Sequence, residues 1–245
     1  MTNRLDQQFK YLGLFIAIFM TVSFLTIVLI YKLVQIGPVY ASAATFIIPF
    51  WYSLSDMISE IYGYRVARNL IWTMLFCEII FIFSIVGFIY LPSPVFLDHS
   101  KEYLDLFGKL PRVFLGSFSA VLCGAFLNIY CISKWKILTR GRYFWIRSVA
   151  SSAIGELVFT ILAFLIEFIG AIPFEKILEL MLVSYAIKIL FSMIFATPAT
   201  FLTAIVQKSE GVNIYDENIN FNPFGVSLGK SSKFDFSKEK DQLAS

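Results

Sequence analysis

Hydrophobic positions along the chain gather in long blocks: residues 11 to 31 and 70 to 97 carry almost no ionised side chains, whereas the part from Gln207 onward is polar and mixed in sign. A helix needs about 20 apolar residues to cross the hydrocarbon core of a bilayer. Blocks that meet this requirement lie at roughly 11–33, 38–60, 66–91, 112–133, 146–170 and 178–206, and they predict six transmembrane helices. Turn-forming residues separate them at Gly37-Pro38, Gly63, Pro92 and Pro94, Gly141, and Pro173. The mixed stretch Leu97 to Leu110 predicts a short amphipathic helix lying in the external interface. The expected organisation is a six-helix transmembrane domain over 1–206, followed by a polar, mobile cytoplasmic tail over 207–245. The first block is longer than the apolar core of a signal peptide, so it reads as a retained helix despite the small residues Ala41-Ser42-Ala43.

Composition agrees with a lipid solvent. Of the 245 residues 58% are apolar, 18% aromatic and only 15% charged, with a mean hydropathy of +0.75, whereas about a quarter of an average soluble domain is charged. The basic residues sort by side. Lys134, Lys136, Arg140, Arg142 and Arg147 cluster between the fourth and fifth blocks, and Arg4, Lys10, Arg65, Arg68 and Lys208 fall on the same side. That side is expected to be cytoplasmic, with both termini on it and the protein in the inner (plasma) membrane. Since the cations sit at the ends of blocks and form no stripe, the net charge of +3 does not point to nucleic acid. Cys77, Cys123 and Cys131 show neither disulfide nor zinc spacing. His99 has no Ser or Cys partner that spacing nominates, so no hydrolase chemistry, metal or other cofactor is expected. The phosphate-binding Gly-x-x-x-x-Gly-Lys-Ser/Thr loop is missing, so direct use of ATP would require a separate energising subunit.

Ionisable groups inside a bilayer are expensive and their default reading is functional. In the second block Asp56 and Glu60 are four residues apart and share a helix face with Ser53. Pro49, read as lying inside that span, is expected to free a carbonyl and bend the helix. The structural alternative pairs Asp56 and Glu60 with Arg65 and Arg68. The fifth block repeats a polar residue every four positions at Ser148, Ser152, Glu156 and Thr160, with Gly155 beside them, which makes either a site or a packing seam. Ser117, Ala120, Gly124 and Asn128 form a narrow face in the fourth block, ending in an amide that both donates and accepts. Tyr185, Lys188 and Ser192 mark the sixth, with Lys188 deep enough to require a carboxylate partner. Glu78 reads as structural, and Glu167 is expected to reach the external interface.

The run IPFWYSLSDMISEIYGYRVAR, from Ile48 through Asp56, Glu60, Gly63 and Arg68, resembles the signature of the queuosine precursor transporter family, also called the vitamin-uptake-like family. WIRSVASSAIGE (Trp145 to Glu156), the Tyr185 and Lys188 pair, and Thr197-Pro198 agree in order and spacing, so the resemblance covers about residues 10 to 205. It implies an all-α membrane fold, a six-helix bundle similar to the substrate-binding component of energy-coupling-factor vitamin transporters. The implied substrate is a 7-deazapurine such as 7-cyano-7-deazaguanine, its aminomethyl analogue or queuine. The adjacent N1–H and amine donors of a guanine-like ring match one carboxylate, Glu156 or Asp56. Asn128 would then meet the opposite edge, and Trp51, Tyr52 or Tyr185 would stack on the ring. Ser152 and Glu60 complete the expected substrate-binding set, and Lys188 neutralises the second carboxylate. Two other readings keep the helices: an ion- or proton-coupled transporter of another small polar molecule with Asp56 and Glu60 as relay, and a membrane scaffold whose charged pairs fix helix register. Monomer and homodimer are both compatible with the chain.

Overall fold

The computed structural model describes residues 9–94, 96, 99–216 and 219–225. Over these residues the chain forms eight α-helices and one small β-hairpin. Helix α1 (Leu12–Leu29) ends earlier than expected, and the chain turns through strands β1 (Leu33–Ile36) and β2 (Val39–Ser42), paired antiparallel about Gly37 and Pro38. Gly37 sits at φ +58°, a conformation that glycine adopts without a steric cost. A single 3-10 turn, Ala43–Phe46, follows, with Ser42 Oγ accepting from the Ala44 N–H.

The second apolar block is therefore not a helix from 38 onward. Pro38 and β-branched Val39 favour extended backbone, Ser42 caps the turn, and helix α2 spans Ile48–Tyr62. Pro49 lies in the first turn of α2, where its missing N–H has no helical partner to lose, so the expected bend does not arise there. With 15 residues, α2 is about 22 Å long. It is buried on nearly every side, from Ile48 to Tyr62, and α1, α3, α6, α7 and α8 pack around it. A helix enclosed in this way carries its polar side chains into the middle of the bundle.

The other helices of the bundle are α3 (Tyr64–Ile89), α5 (Leu110–Ala120), α6 (Phe126–Leu138), α7 (Phe144–Phe168) and α8 (Phe174–Glu210). The amphipathic helix expected near 97–110 is α4 (Ser100–Phe107), which buries none of its residues; Leu97 and Asp98 lie outside the described residues. A π-helical turn, Val121–Ala125, joins α5 to α6. Among the described residues, five helical stretches are long and apolar enough to cross a membrane: Leu12–Leu29, Tyr64–Ile89, Ser100–Leu138, Phe144–Phe168 and Phe174–Glu210. The polarity gradient is inverted relative to a soluble protein. Phe83 and Leu182 are 70% and 72% exposed, whereas Asp56, Asn128, Glu156 and Lys188 are all at 0%. Apolar residues facing out and charges facing in is the arrangement a hydrocarbon solvent selects.

The expected tail begins with more helix, as α8 continues to Glu210 and is closed by Gly211 in the left-handed conformation. Residues 212–216 and 219–225 then lie over one end of the bundle. Ile214 O accepts from Lys136 Nζ at 2.7 Å, Phe221 O from the Tyr64 hydroxyl at 2.7 Å, and Pro223 O from Trp72 Nε1 at 2.8 Å. Tyr64 and Trp72 are thus tied to the chain's own C-terminal segment. Residues 226–245 lie outside the described residues.

Candidate functional site

Helices α2 and α7 face each other as two antiparallel columns. On α2, Tyr52, Asp56 and Glu60 recur every four residues, which keeps them on one face. On α7, Arg147, Ser148, Ser152, Glu156, Phe159 and Thr160 oppose them in reverse order. Glu60 meets Arg147, Asp56 meets Ser148 and Ser152, and the Tyr52 ring stands edge-on to Phe159 at 6.2 Å between centroids. The columns come this close because small residues line the seam. A Cβ on Gly155 would stand 2.8 Å from Asn128 Cβ, 2.8 Å from Gly124 O and 3.1 Å from Tyr52 Cε1. A Cβ on Gly124 would meet Gly155 O at 2.6 Å. Gly155→Val is therefore expected to lower stability by about 1–3 kcal/mol through overpacking, read as a fall in the thermal midpoint of the detergent-solubilised protein. An unchanged midpoint would mean that the seam yields freely.

Asp56 is the hub of the central set. Its Oδ1 accepts from Asn128 Nδ2 at 2.7 Å, and its Oδ2 accepts from Ser148 Oγ at 2.6 Å and Ser152 Oγ at 3.1 Å. With three donors converging on it, this carboxylate is already occupied. The bond from Nδ2 also orients the amide, because a carboxylate only accepts; Asn128 Oδ1 is left as a buried acceptor without a partner. Glu156 is different. Its Oε1 accepts from Ser192 Oγ of α8 at 3.0 Å, while its Oε2 has no partner. Trp51 Nε1 and the Tyr52 hydroxyl are likewise buried and unpartnered. Trp51 packs against Phe19 at 4.9 Å and Tyr52 at 5.2 Å between ring centroids.

Glu60 belongs to a second cluster, at the end of the bundle where α2 meets α3. Arg147 grips its carboxylate through Nη1 at 2.8 Å and Nη2 at 3.0 Å, and Lys136 Nζ stands 3.8 Å from Oε1 while donating to Glu60 O at 2.7 Å. The candidate partners Arg65 and Arg68 are not the ones engaged. Both cations that are engaged come from the basic stretch assigned to a loop; they lie on α6 and α7, at 1% and 3% exposure. Nearby, Asp216 Oδ2 accepts from the Tyr64 N–H at 2.8 Å beside Gly63, whose φ of +84° breaks α2 from α3. Burial pushes the Asp216 carboxyl up from its ordinary range, opposed by the Tyr64 N–H bond and the charge of Lys136.

The other sequence candidates are placed as follows. Lys188 Nζ donates to Thr160 Oγ1 at 2.9 Å, and among the described residues no carboxylate stands within 4.0 Å of it, so its expected ion pair is not closed. Tyr185, half-buried, donates its hydroxyl to Ala153 O at 3.1 Å. Glu167 does not reach an exterior surface. It is 1% exposed, because Gly116 on the facing helix leaves room for its side chain inside the bundle. Tyr52 is the residue whose place is clearer in three dimensions than in sequence; the available signal was its position one helical turn before Asp56.

A family model described as "Putative vitamin uptake transporter" matches residues 42–203, which include α2, α7 and most of α8. A Bacillus subtilis (strain 168) protein named "Probable queuosine precursor transporter" is 30% identical over 142 residues, 57% of this chain and 62% of that protein. An Escherichia coli (strain K12) "Queuosine precursor transporter" is 26% identical over 156 residues, 62% of this chain and 68% of that protein. A Haemophilus influenzae relative, also named "Probable queuosine precursor transporter", is 25% identical over 174 residues, 69% of this chain and 72% of that protein. The match thus spans less than two thirds of the Bacillus relative's length. No solved structure matches. The relatives are named as transporters and not as enzymes, and with a family match that covers well over half of its residues, this chain belongs to the vitamin uptake transporter family.

Proposed function

We propose that the protein imports a queuosine precursor, a guanine-like 7-deazapurine, across the bacterial inner membrane. One observation carries the reading: four polar atoms at the centre of an apolar bundle have no partner, namely the donors Trp51 Nε1 and Tyr52 Oη and the acceptors Asn128 Oδ1 and Glu156 Oε2. Native proteins rarely leave such groups unsatisfied, and those that persist call for a functional explanation. The set complements a guanine-like ring. Adjacent N1–H and amine donors suit the acceptors Glu156 Oε2 and Asn128 Oδ1, and the O6 and N7 acceptors suit the indole N–H and the phenol. Asp56, Ser148 and Ser152 hold Asn128 and α7 in register, and Tyr185 borders the set from α8. Glu60 braces the end of the bundle through Arg147. The relatives' names point to the same substrate class.

In this reading α2 is the sixth membrane-inserted helix, shorter than the others and enclosed by them. In the same reading the bundle takes the fold of the substrate-binding component of energy-coupling-factor vitamin transporters, as the sequence resemblance implies, and both termini face the cytoplasm. Asp56, Asn128 and Glu156 are all at 0% exposure, so in this reading substrate reaches Glu156 only when helices part.

Uptake of labelled 7-cyano-7-deazaguanine, and separately of queuine, is to be measured in cells unable to synthesise queuosine, with and without this protein. Protein-dependent uptake of either compound is the expected result. Normal membrane insertion with uptake of neither would overturn the assignment of the substrate.

A further inference from the structure

Buried charge continues from the central set toward the end of the bundle opposite Glu60, and the binding reading does not use it. On α7, Glu156, Thr160, Ala163 and Glu167 are all buried and fall on one face. The two glutamates are eleven residues apart, or about 16 Å of helical rise. Lys188 of α8 enters this face between them, with Nζ donating to Thr160 Oγ1 at 2.9 Å, lying 5.0 Å from the Phe159 ring centroid and subject to the charge of both carboxylates. Each carboxylate keeps one oxygen without a partner, Glu156 Oε2 and Glu167 Oε2. Glu167 is accommodated by a cleft that only glycine leaves open, since a Cβ on Gly116 would stand 2.6 Å from its Cγ and 2.9 Å from its Oε1.

The surrounding charges leave Lys188 as the group between the two acids. Asp56 and Tyr52 on α2, and Tyr185 and Ser192 on α8, face Glu156. Arg112 on α5 and Tyr31 after α1 face Glu167. Arg112 is anchored elsewhere, its Nε donating to Ile166 O at 2.8 Å and its Nη2 to Ile169 O, so it contributes fixed charge and no proton. The Tyr31 hydroxyl is engaged with Glu167 O at 3.3 Å, with Lys109 Nζ 5.4 Å from the centroid of its ring.

We propose that Glu167, Lys188 and Glu156 form a proton relay that couples substrate movement to the proton gradient; the inference rests on the transport reading above. The Lys188 ammonium swings from Thr160 on its flexible stem and gives a proton to Glu156 Oε2, so that an N–H bond breaks and an O–H bond forms. The neutral amine then takes the proton of the Glu167 carboxylic acid, and Glu167 is reprotonated from water at the Arg112 end. Protonating Glu156 removes one of the acceptor positions that hold the paired donors of the base, so proton arrival weakens binding and favours release. When the helices part on the Glu60 side, the Glu156 O–H bond breaks and its proton passes to water on that side, which returns Glu156 to the carboxylate and resets the site. In the proposed topology the Arg112 end faces the exterior, and such a carrier needs no energising subunit.

The test uses the full-length protein in liposomes with labelled 7-cyano-7-deazaguanine and queuine. With an acid exterior the wild type is expected to accumulate label about tenfold above equilibrium per pH unit, as one proton per substrate requires. Glu167→Gln is expected to lose that accumulation while retaining counterflow exchange, and Glu167→Asp to recover part of it. Exchange in the wild type without any response to the gradient, or full accumulation by Glu167→Gln, would overturn the relay and leave the transporter standing. Neither uptake nor exchange in the wild type would overturn the transport reading, and the relay with it. If Glu167→Gln fails to insert, the wild type still decides: substrate flowing inward without a gradient must acidify the lumen, as read by a trapped pH dye, and a constant lumen pH refutes coupling.

Discussion

Glu156→Gln is expected to reduce uptake of the deazapurine by about ten- to a hundred-fold at limiting substrate, in a protein that inserts normally. The substitution keeps the shape of the side chain and an acceptor for Ser192 Oγ, which bonds Oε1 at 3.0 Å. What it changes is the free oxygen, Oε2, which becomes an NH2 group. A ring that presents two adjacent donors would then meet one acceptor and one donor, and the charge assistance would be lost. Hydrogen bonds to charged groups contribute about 1.5–3 kcal/mol, and 1.4 kcal/mol is a factor of about ten. The measurement is initial uptake rate against substrate concentration, normalised to protein in the membrane. Unchanged uptake would remove Glu156 from the site and leave Asp56, with its three donors in place, as the remaining central carboxylate.

Arg147→Ala is expected to cost about 3–5 kcal/mol of stability, the loss that follows from removing one charge of a buried pair. Both guanidinium nitrogens that grip Glu60 would be gone, leaving a carboxylate at 5% exposure with Lys136 Nζ at 3.8 Å as its remaining cation. Replacing both partners, as in Glu60→Leu with Arg147→Met, is expected to recover most of the loss, since an apolar pair of similar volume leaves no buried charge behind. Thermal melting of the detergent-solubilised proteins reads the stability, and uptake by the double variant reads the role of Glu60. A stable double variant that transports normally makes Glu60 a structural brace. A stable one that has lost transport places it in the path of the substrate, where the sequence pattern also allowed it to be. If Arg147→Ala melted with the wild type, the pair would contribute nothing to the fold.

The blocks of apolar residues, the breakers at Gly37, Gly63, Gly141 and Pro173, and the polar columns on α2 and α7 were legible in the sequence, because each depends on length, hydropathy and residue spacing within one segment. The family signature from Ile48 to Arg68 was legible for the same reason, as a contiguous run. Reading the second block as one helix failed at its start, since an apolar run of that length reads alike as helix or as hairpin and turn. Pro38, Val39 and the Ser42 cap decide the difference, and they also move Pro49 from a presumed kink to a first turn.

Which charges meet was not in the sequence at all. Glu60 had Arg65 and Arg68 within a few residues, yet it pairs with Arg147 and Lys136, because the antiparallel approach of α2 to α7 sets a register that brings those cations to it. That approach depends on Gly155, where a Cβ would press on Tyr52 of α2, and Gly124 gives the π-helical turn the same close contact with α7. The same packing leaves Lys188 at Thr160, short of either glutamate, and encloses Glu167 against Gly116. The sequence by itself determined that charge is buried in this membrane protein and on which helix faces it lies, because helical periodicity is local. The tertiary structure alone decided which donor meets which acceptor and which polar atoms, Glu156 Oε2 and Asn128 Oδ1 among them, have none, because those depend on how far one helix slides along another.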